Sequence, residues 1–205
     1  MTTSEPFGST SGGTRTITIY NNAVLRNNGN GTLKANRRIV IDASGGTIMP
    51  NSRTMLLDSA DQFAGDGNLT LSDTGNYGGS FGLNAANDNF TGCVIAGAKV
   101  GSKDVPANFG LGANGSINNS PLILLANNVA SLVVTAKIAG YDVPAGQTIA
   151  GVGSVRGKLN VSTAGAQVHP GSHTLPGPVT GPGVLTITNG LSMAGGGTYL
   201  WISSR

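Results

Sequence analysis

The sequence predicts an all-β protein, specifically a right-handed parallel β-helix (β-solenoid), and three observations carry that expectation. Composition disfavours helices: of 205 residues 33 are Gly, only 10% are charged and 5% aromatic, and each Gly costs a helix interior about 1 kcal/mol relative to Ala. Apolar and polar residues alternate with a period of two along most of the chain, the pattern of half-buried strands. A short motif, Gly-x-Leu-polar-small or aliphatic, recurs as GTLKA at Gly31, GNLTL at Gly67, GKLNV at Gly157 and GVLTI at Gly183. Such self-similarity belongs to units that cannot bury an apolar face alone and must be covered by their neighbours.

Taken in order, MTTSEPFGSTSGG has no strand pattern, so residues 1–12 are expected as a flexible leader and 13–205 as a single solenoid domain of imperfect repeats. In RTITIY, Ile17 and Ile19 face one way while Thr16, Thr18 and Tyr20 face the other. RIVID, NLTLSD, KLNVST and VLTITNGLSM repeat the alternation, the last with Leu185 and Ile187 against Thr186 and Thr188. SLVVTAKIAG comes nearest to helical spacing, but its β-branched residues and Gly140 favour a strand. Turn signals separate these runs: Asn28-Gly29, Asn30-Gly31, Gly45-Gly46, Asn114-Gly115 and GPVTGPG. Gly supplies the corners, and Asn tolerates the same backbone region and stacks into hydrogen-bonded ladders. Coils of about 20 residues stacked about 4.8 Å apart would number roughly ten and form a rod near 50 Å long.

Charge and reactive residues set the functional expectations. A net charge of +3 gives no strong hold on nucleic acid or anionic lipid. Half of the basic residues (Arg15, Arg26, Lys34, Arg37, Arg38, Arg53) fall within about the first quarter of the chain, by position 53, where they read as solvated strand edges that block unwanted pairing. Arg37 and Arg38 lack the interleaved aromatics that would stack nucleic-acid bases. Cys93 is the single cysteine; it forms no intrachain disulfide and reads as a small apolar strand residue. No apolar run is long enough to span a membrane as a helix, and the N-terminus lacks the regions of a secretion signal.

Three constellations invite chemistry. His169 and His173 flank Pro170 and Gly171, but no Cys or acidic residue lies between Arg156 and Arg205 to complete a zinc site. Pro170 biases His169 towards extended backbone, and the pair reads as a bend. Asp58, Asp61 and Asp66 in DSADQFAGDG could form a calcium loop, yet their spacing fits neither an EF-hand nor the calcium nonapeptide, and Asp is an ordinary turn residue. Asn30, Asn68, Asn89, Asn114, Asn118 and Asn160 head Asn-x-Ser/Thr triplets, which chance readily produces in so Asn-, Ser- and Thr-rich a chain.

GQTIAGVGSVRGKLNVSTAGAQVHPG, followed by GPGVLTITNGLSMAGGGTYLW, resembles the tail repeats of bacterial autotransporter passenger domains and related extracellular β-helical proteins. GDGNLTLSDTGNYGGS and NFTGCVIAGAKVG are similar to the autotransporter-associated β-strand repeat. The resemblance spans a little under half the chain. It implies a passenger-like segment without signal peptide or barrel, located outside the cell or on a bacterial surface. It also implies a non-enzymatic structural or adhesin-like stalk, with a carbohydrate or a host- or cell-surface ligand as partner.

The competing class is a carbohydrate-active or carbohydrate-binding β-helix, of polysaccharide lyase or glycosidase type. Those chemistries need carboxylates paired across a cleft, or a metal with a base, and the acids here are scattered among turns. No catalytic, cofactor-binding or metal residue is therefore assigned and no cofactor is expected. Nucleic acid and membrane insertion are not expected either. Tyr199, Leu200, Trp201 and Ile202 form the most apolar aromatic cluster, so the C-terminal coil is expected to be exposed and to self-associate.

Overall fold

A computed structural model describes residues 13–73, 78–98, 104–173 and 179–200. Among them there is no helix, and parallel strands stack into a β-solenoid of about six turns. The first coil is β1 (Arg15–Ile19), β2 (Val24–Arg26) and β3 (Gly31–Leu33), and the second β4 (Arg37–Ile41), β5 (Gly46–Met49) and β6 (Thr54–Leu57). Next come β7 (Phe63–Gly65), β8 (Leu69–Leu71) and β9 (Gly79–Leu83), then β10 (Val94–Ala96) and β11 (Ala107–Leu111), then β12 (Leu122–Leu125) and β13 (Ser131–Val133). The chain continues through β14 (Tyr141–Asp142), β15 (Thr148–Gly151) and β16 (Ser154–Arg156), then β17 (Leu159–Val161) and β18 (Gln167–Pro170). An excursion, β19 (Ser172–His173) paired antiparallel with β20 (Val179–Gly181), precedes β21 (Thr186–Ile187), β22 (Leu191–Met193) and β23 (Thr198–Tyr199).

These strands line three faces. One is an eight-stranded parallel sheet in the order β2-β5-β8-β10-β12-β15-β18-β23, and another a seven-stranded sheet in the order β21-β16-β13-β11-β9-β6-β3. The third face is split into β1-β4-β7 and β14-β17-β22, with the bridges Gly65 to Phe90 and Ala86 to Ser116 between them. Residues 1–12, expected as a leader, lie outside the described residues, as do Trp201 and Ile202.

Alternation places the core. In β4, Ile39 and Ile41 are fully buried, and Ile17 and Ile19 of β1 lie over them in register. On the seven-stranded sheet Met55, Phe81 and Phe109 succeed one another inward. Phe63 joins this column from the third face, with its ring centroid 5.4 Å from Phe81 and 4.5 Å from Phe90, and Phe81 and Phe109 stack at 6.3 Å. One apolar cluster runs without a break from Ile19 to Val168. The backbone layers approach closely at corners: a Cβ on Gly67 would overlap the Asp42 carbonyl oxygen of the coil below, and one on Gly92 would overlap that of Gly67.

Several expectations need correction. The rod of roughly ten coils is a solenoid of about six turns, whose eight-stranded face spans about 34 Å at about 4.8 Å per strand. Coils are longer than assumed because corners take up extra chain: Arg37 sits over Arg15, 22 positions on, while Thr186 sits over Ser154, 32 positions on, across the β19–β20 excursion. The four Gly-x-Leu copies do not mark successive coils. GTLKA and GVLTI enter strands at opposite ends of the seven-stranded sheet, GNLTL enters the eight-stranded sheet and GKLNV the third face. The motif marks the entry from a corner into a strand, which every face needs.

SLVVTAKIAG is a strand only over Ser131–Val133; turns follow, and Ile138 at their tip is 98% exposed. Arg15, Arg26, Lys34 and Arg53 are exposed as expected, but Arg37 is buried and Arg38 half-buried, because β4 is the central strand of its sheet. His169 and His173 flank a bend: they belong to β18 and β19, and the chain turns between them at Gly171, where φ is 132°.

Candidate functional site

Most polar side chains singled out in the sequence are used between coils. Asp58 accepts from Asn84 Nδ2 at 2.5 Å, Asp61 from Asn89 Nδ2 at 2.6 Å and Asp142 from Asn160 Nδ2 at 2.8 Å. Asp88 accepts three bonds from the next coil, from Ser116 Oγ at 2.9 Å, Asn118 N at 2.6 Å and Asn118 Nδ2 at 3.2 Å. Asn30 Oδ1 accepts the Thr54 amide and Asn68 Oδ1 the Cys93 amide. Five of the six triplet asparagines, all but Asn114, thus tie one coil to the next. Asp58, Asp61 and Asp66 do not converge, and among the described residues no group of three His, Cys, Asp or Glu is placed to hold a metal ion.

Buried amides fasten two corners. Gln62 Nε2 donates to the carbonyls of Leu33, Lys34 and Arg37 at 2.7–3.2 Å. Gln147 Nε2 donates to those of Ile117 and Ser120, while its Oε1 accepts from Tyr141 OH at 2.5 Å. Burial raises the Tyr141 pKa above its ordinary value, so the phenol stays a donor. Lys137 Nζ lies 5.8 Å from the Tyr141 ring centroid and donates to the Ala113 carbonyl at 3.2 Å; burial lowers its pKa.

Cys93 is half-buried beside Leu122 and Leu124, apolar side chains on the outer side of the eight-stranded sheet. Desolvation raises its thiol pKa, which keeps the sulfur protonated and weakly nucleophilic at neutral pH. His169 pairs in register with Ala150 on that sheet.

Two concavities mark the described surface: the larger, about 490 Å³, lies beside Asn118, Lys137, Tyr141 and Asp142, and the other is on the outer side of the seven-stranded sheet. Two columns of outward residues run across β6, β9, β11 and β13. One is Thr54, Ser80, Asn108 and Ser131, and the other is Leu56, Gly82, Gly110 and Val133. The paired glycines leave a trough of about 200 Å³ between Leu56 and Val133, edged by Ser80 and Asn108. Asn108 accepts from the Ser131 hydroxyl and donates Nδ2 to the Gly79 carbonyl at 3.3 Å. No side chain lining the trough is ionisable. It can offer hydrogen bonds and apolar contact, but no general acid or base.

Sequence reasoning missed this trough, although a signal was present. SFGLN at Ser80 and NFGLG at Asn108 are near-copies 28 positions apart and lie directly over one another in β9 and β11. No family model matches the chain, and neither the curated proteins nor the solved structures compared with it include a match.

Proposed function

We propose that this chain is a non-enzymatic structural or adhesin-like β-solenoid segment of the autotransporter passenger type, working outside the cell or at a bacterial surface. The observation that carries the reading is the use of the acids. Asp58, Asp61, Asp88 and Asp142 each accept an amide or hydroxyl from the following coil, so they serve stacking rather than forming a pair across a cleft. Depolymerisation of a polysaccharide needs an acid and a base at a set separation, and a stalk needs only continuous stacking.

The test is incubation of the chain with a panel of neutral and acidic polysaccharides, following new reducing ends and unsaturated uronates. No turnover is expected. Turnover that disappears in Asp88→Asn or Asp142→Asn would overturn the reading in favour of a carbohydrate-active β-helix. A non-catalytic carbohydrate-binding role is the second reading, favoured by the uncharged trough edged by Ser80 and Asn108. Binding of a glycan without turnover, weakened by Asn108→Ala, would support it.

A further inference from the structure

The larger concavity lies where the chain passes from β13 on the seven-stranded sheet to β14 on the third face. Ser116 and Asn118 of one coil and Lys137 and Asp142 of the next stand in its wall. Lys137 Nζ donates to the Ala113 carbonyl at 3.2 Å, and Asp142 Oδ1 accepts from Asn160 Nδ2 at 2.8 Å. An ammonium carries three donors and a carboxylate about four acceptor positions, so these bonds leave both groups capacity for a ligand.

Asp88 decides what the rest of the wall offers. It accepts the Ser116 hydroxyl at 2.9 Å and Asn118 Nδ2 at 3.2 Å. The hydroxyl proton is thereby committed and the amide oriented, and Ser116 Oγ and Asn118 Oδ1 remain as acceptors. The wall is rich in acceptors and carries charges of both signs. A net anion would meet Asp142 and, behind Ser116, Asp88; a net cation would meet Lys137. A hydroxyl both donates and accepts, so a pair of vicinal hydroxyls can give one bond to the Asp142 carboxylate and take one from the Lys137 ammonium.

Size and continuity rank the two concavities. The pocket, about 490 Å³, falls in the range of about 300–1,000 Å³ typical of small-ligand sites, and the trough, about 200 Å³, falls below it. They meet at Ala136, in the turn after β13, which lines both. We propose that the Lys137–Asp142 pocket is the main binding site for an uncharged saccharide, and that the trough beyond Ala136 is an extension that takes the next sugar of the same chain. The proposal rests on the carbohydrate-binding reading and adds to it the pocket, which that reading does not use. The trough edge of Ser80 and Asn108 is uncharged, so the same class of ligand suits both parts.

Titration calorimetry of the intact chain tests it, with neutral gluco- and manno-oligosaccharides of increasing length as probes and oligogalacturonates and chitosan oligomers as charged controls. A neutral oligosaccharide should bind in preference to either charged series. Lys137→Met and Asp142→Ala should each weaken binding about tenfold or more, the loss expected for a bond to a charged group. Asn108→Ala should weaken only the longer oligosaccharides, which reach the trough. Ala139→Leu, at an exposed position of the pocket wall, should obstruct the pocket while removing no side-chain bond between coils, and circular dichroism checks that each variant keeps its strand content. Binding weakened by Asn108→Ala but indifferent to Lys137→Met, Asp142→Ala and Ala139→Leu would overturn the proposal and leave the trough reading standing. Preference for a charged series would overturn the proposal, and no binding of any neutral oligosaccharide would overturn both.

Discussion

At the residue scale, the fold places short polar side chains where one corner meets the next. Asp42 shows the logic: it accepts the Ser44 amide at 3.1 Å and the Ser44 hydroxyl at 2.8 Å, and that hydroxyl oxygen in turn accepts the Asn21 amide of the preceding coil. The two bonds to Ser44, the backbone one first, hold the carboxyl below its ordinary value of 3.8. A folded pKa below the unfolded one contributes stability above the ordinary carboxylate range, and that contribution is lost as pH falls through the folded pKa. In an NMR titration Asp42 should therefore protonate at lower pH than a model aspartate, and Ser44→Ala, which removes the hydroxyl and keeps the amide, should move it part of the way back up; an unchanged midpoint would show that the hydroxyl makes no contribution. Gln147 is a buried counterpart. Replacing it with Leu keeps the volume but orphans Tyr141 OH and the Ser120 carbonyl, while the Ile117 carbonyl keeps the Ser120 amide; this should cost about 2–3 kcal/mol in urea unfolding. Gln167→Leu on the half-buried outer side should stay within about 0.5 kcal/mol of wild type.

At the element scale, the inward columns carry the stability. Phe81 touches Phe63 of its own coil and Phe109 of the next, and stands in register over Met55 of the coil before, so Phe81→Ala opens a void shared by three coils. It should cost about 3–5 kcal/mol, and Phe81→Leu clearly less, as measured by denaturant midpoints at unchanged m. Equal losses for the two variants would mean that the column does not act through packing volume. Strand identity on this scale was legible from sequence because alternation in RTITIY or RIVID reports directly which side faces the core. Coil phase was not. Gly-x-Leu recurs wherever a corner feeds a strand, on any face, so its copies gave neither the number of coils nor their order. The pair that does stack, SFGLN over NFGLG, is separated by a coil longer than 20 residues and was hidden by that assumption. The inter-coil rungs were equally hidden: Asp88 and Asn118 are 30 positions apart, and only the coil path brings them together.

At the scale of the whole molecule, a stack in which each coil contacts only its neighbours has stability that varies along its axis. Coils between β4 and β16 are covered on both sides, and their inward residues are buried. Among the described residues the last coil is paired on one side, its strands are two or three residues long, and their ladder bonds run to β16, β17 and β18. Opening it exposes little further apolar surface, since Leu191, Met193 and Tyr199 are already 36–46% exposed. Amide exchange should therefore be graded: peptides from 183–200 should exchange fastest in dilute solution, while those from 107–125 should be protected up to the global unfolding free energy. Uniform protection along the axis would mean that the solenoid opens all at once.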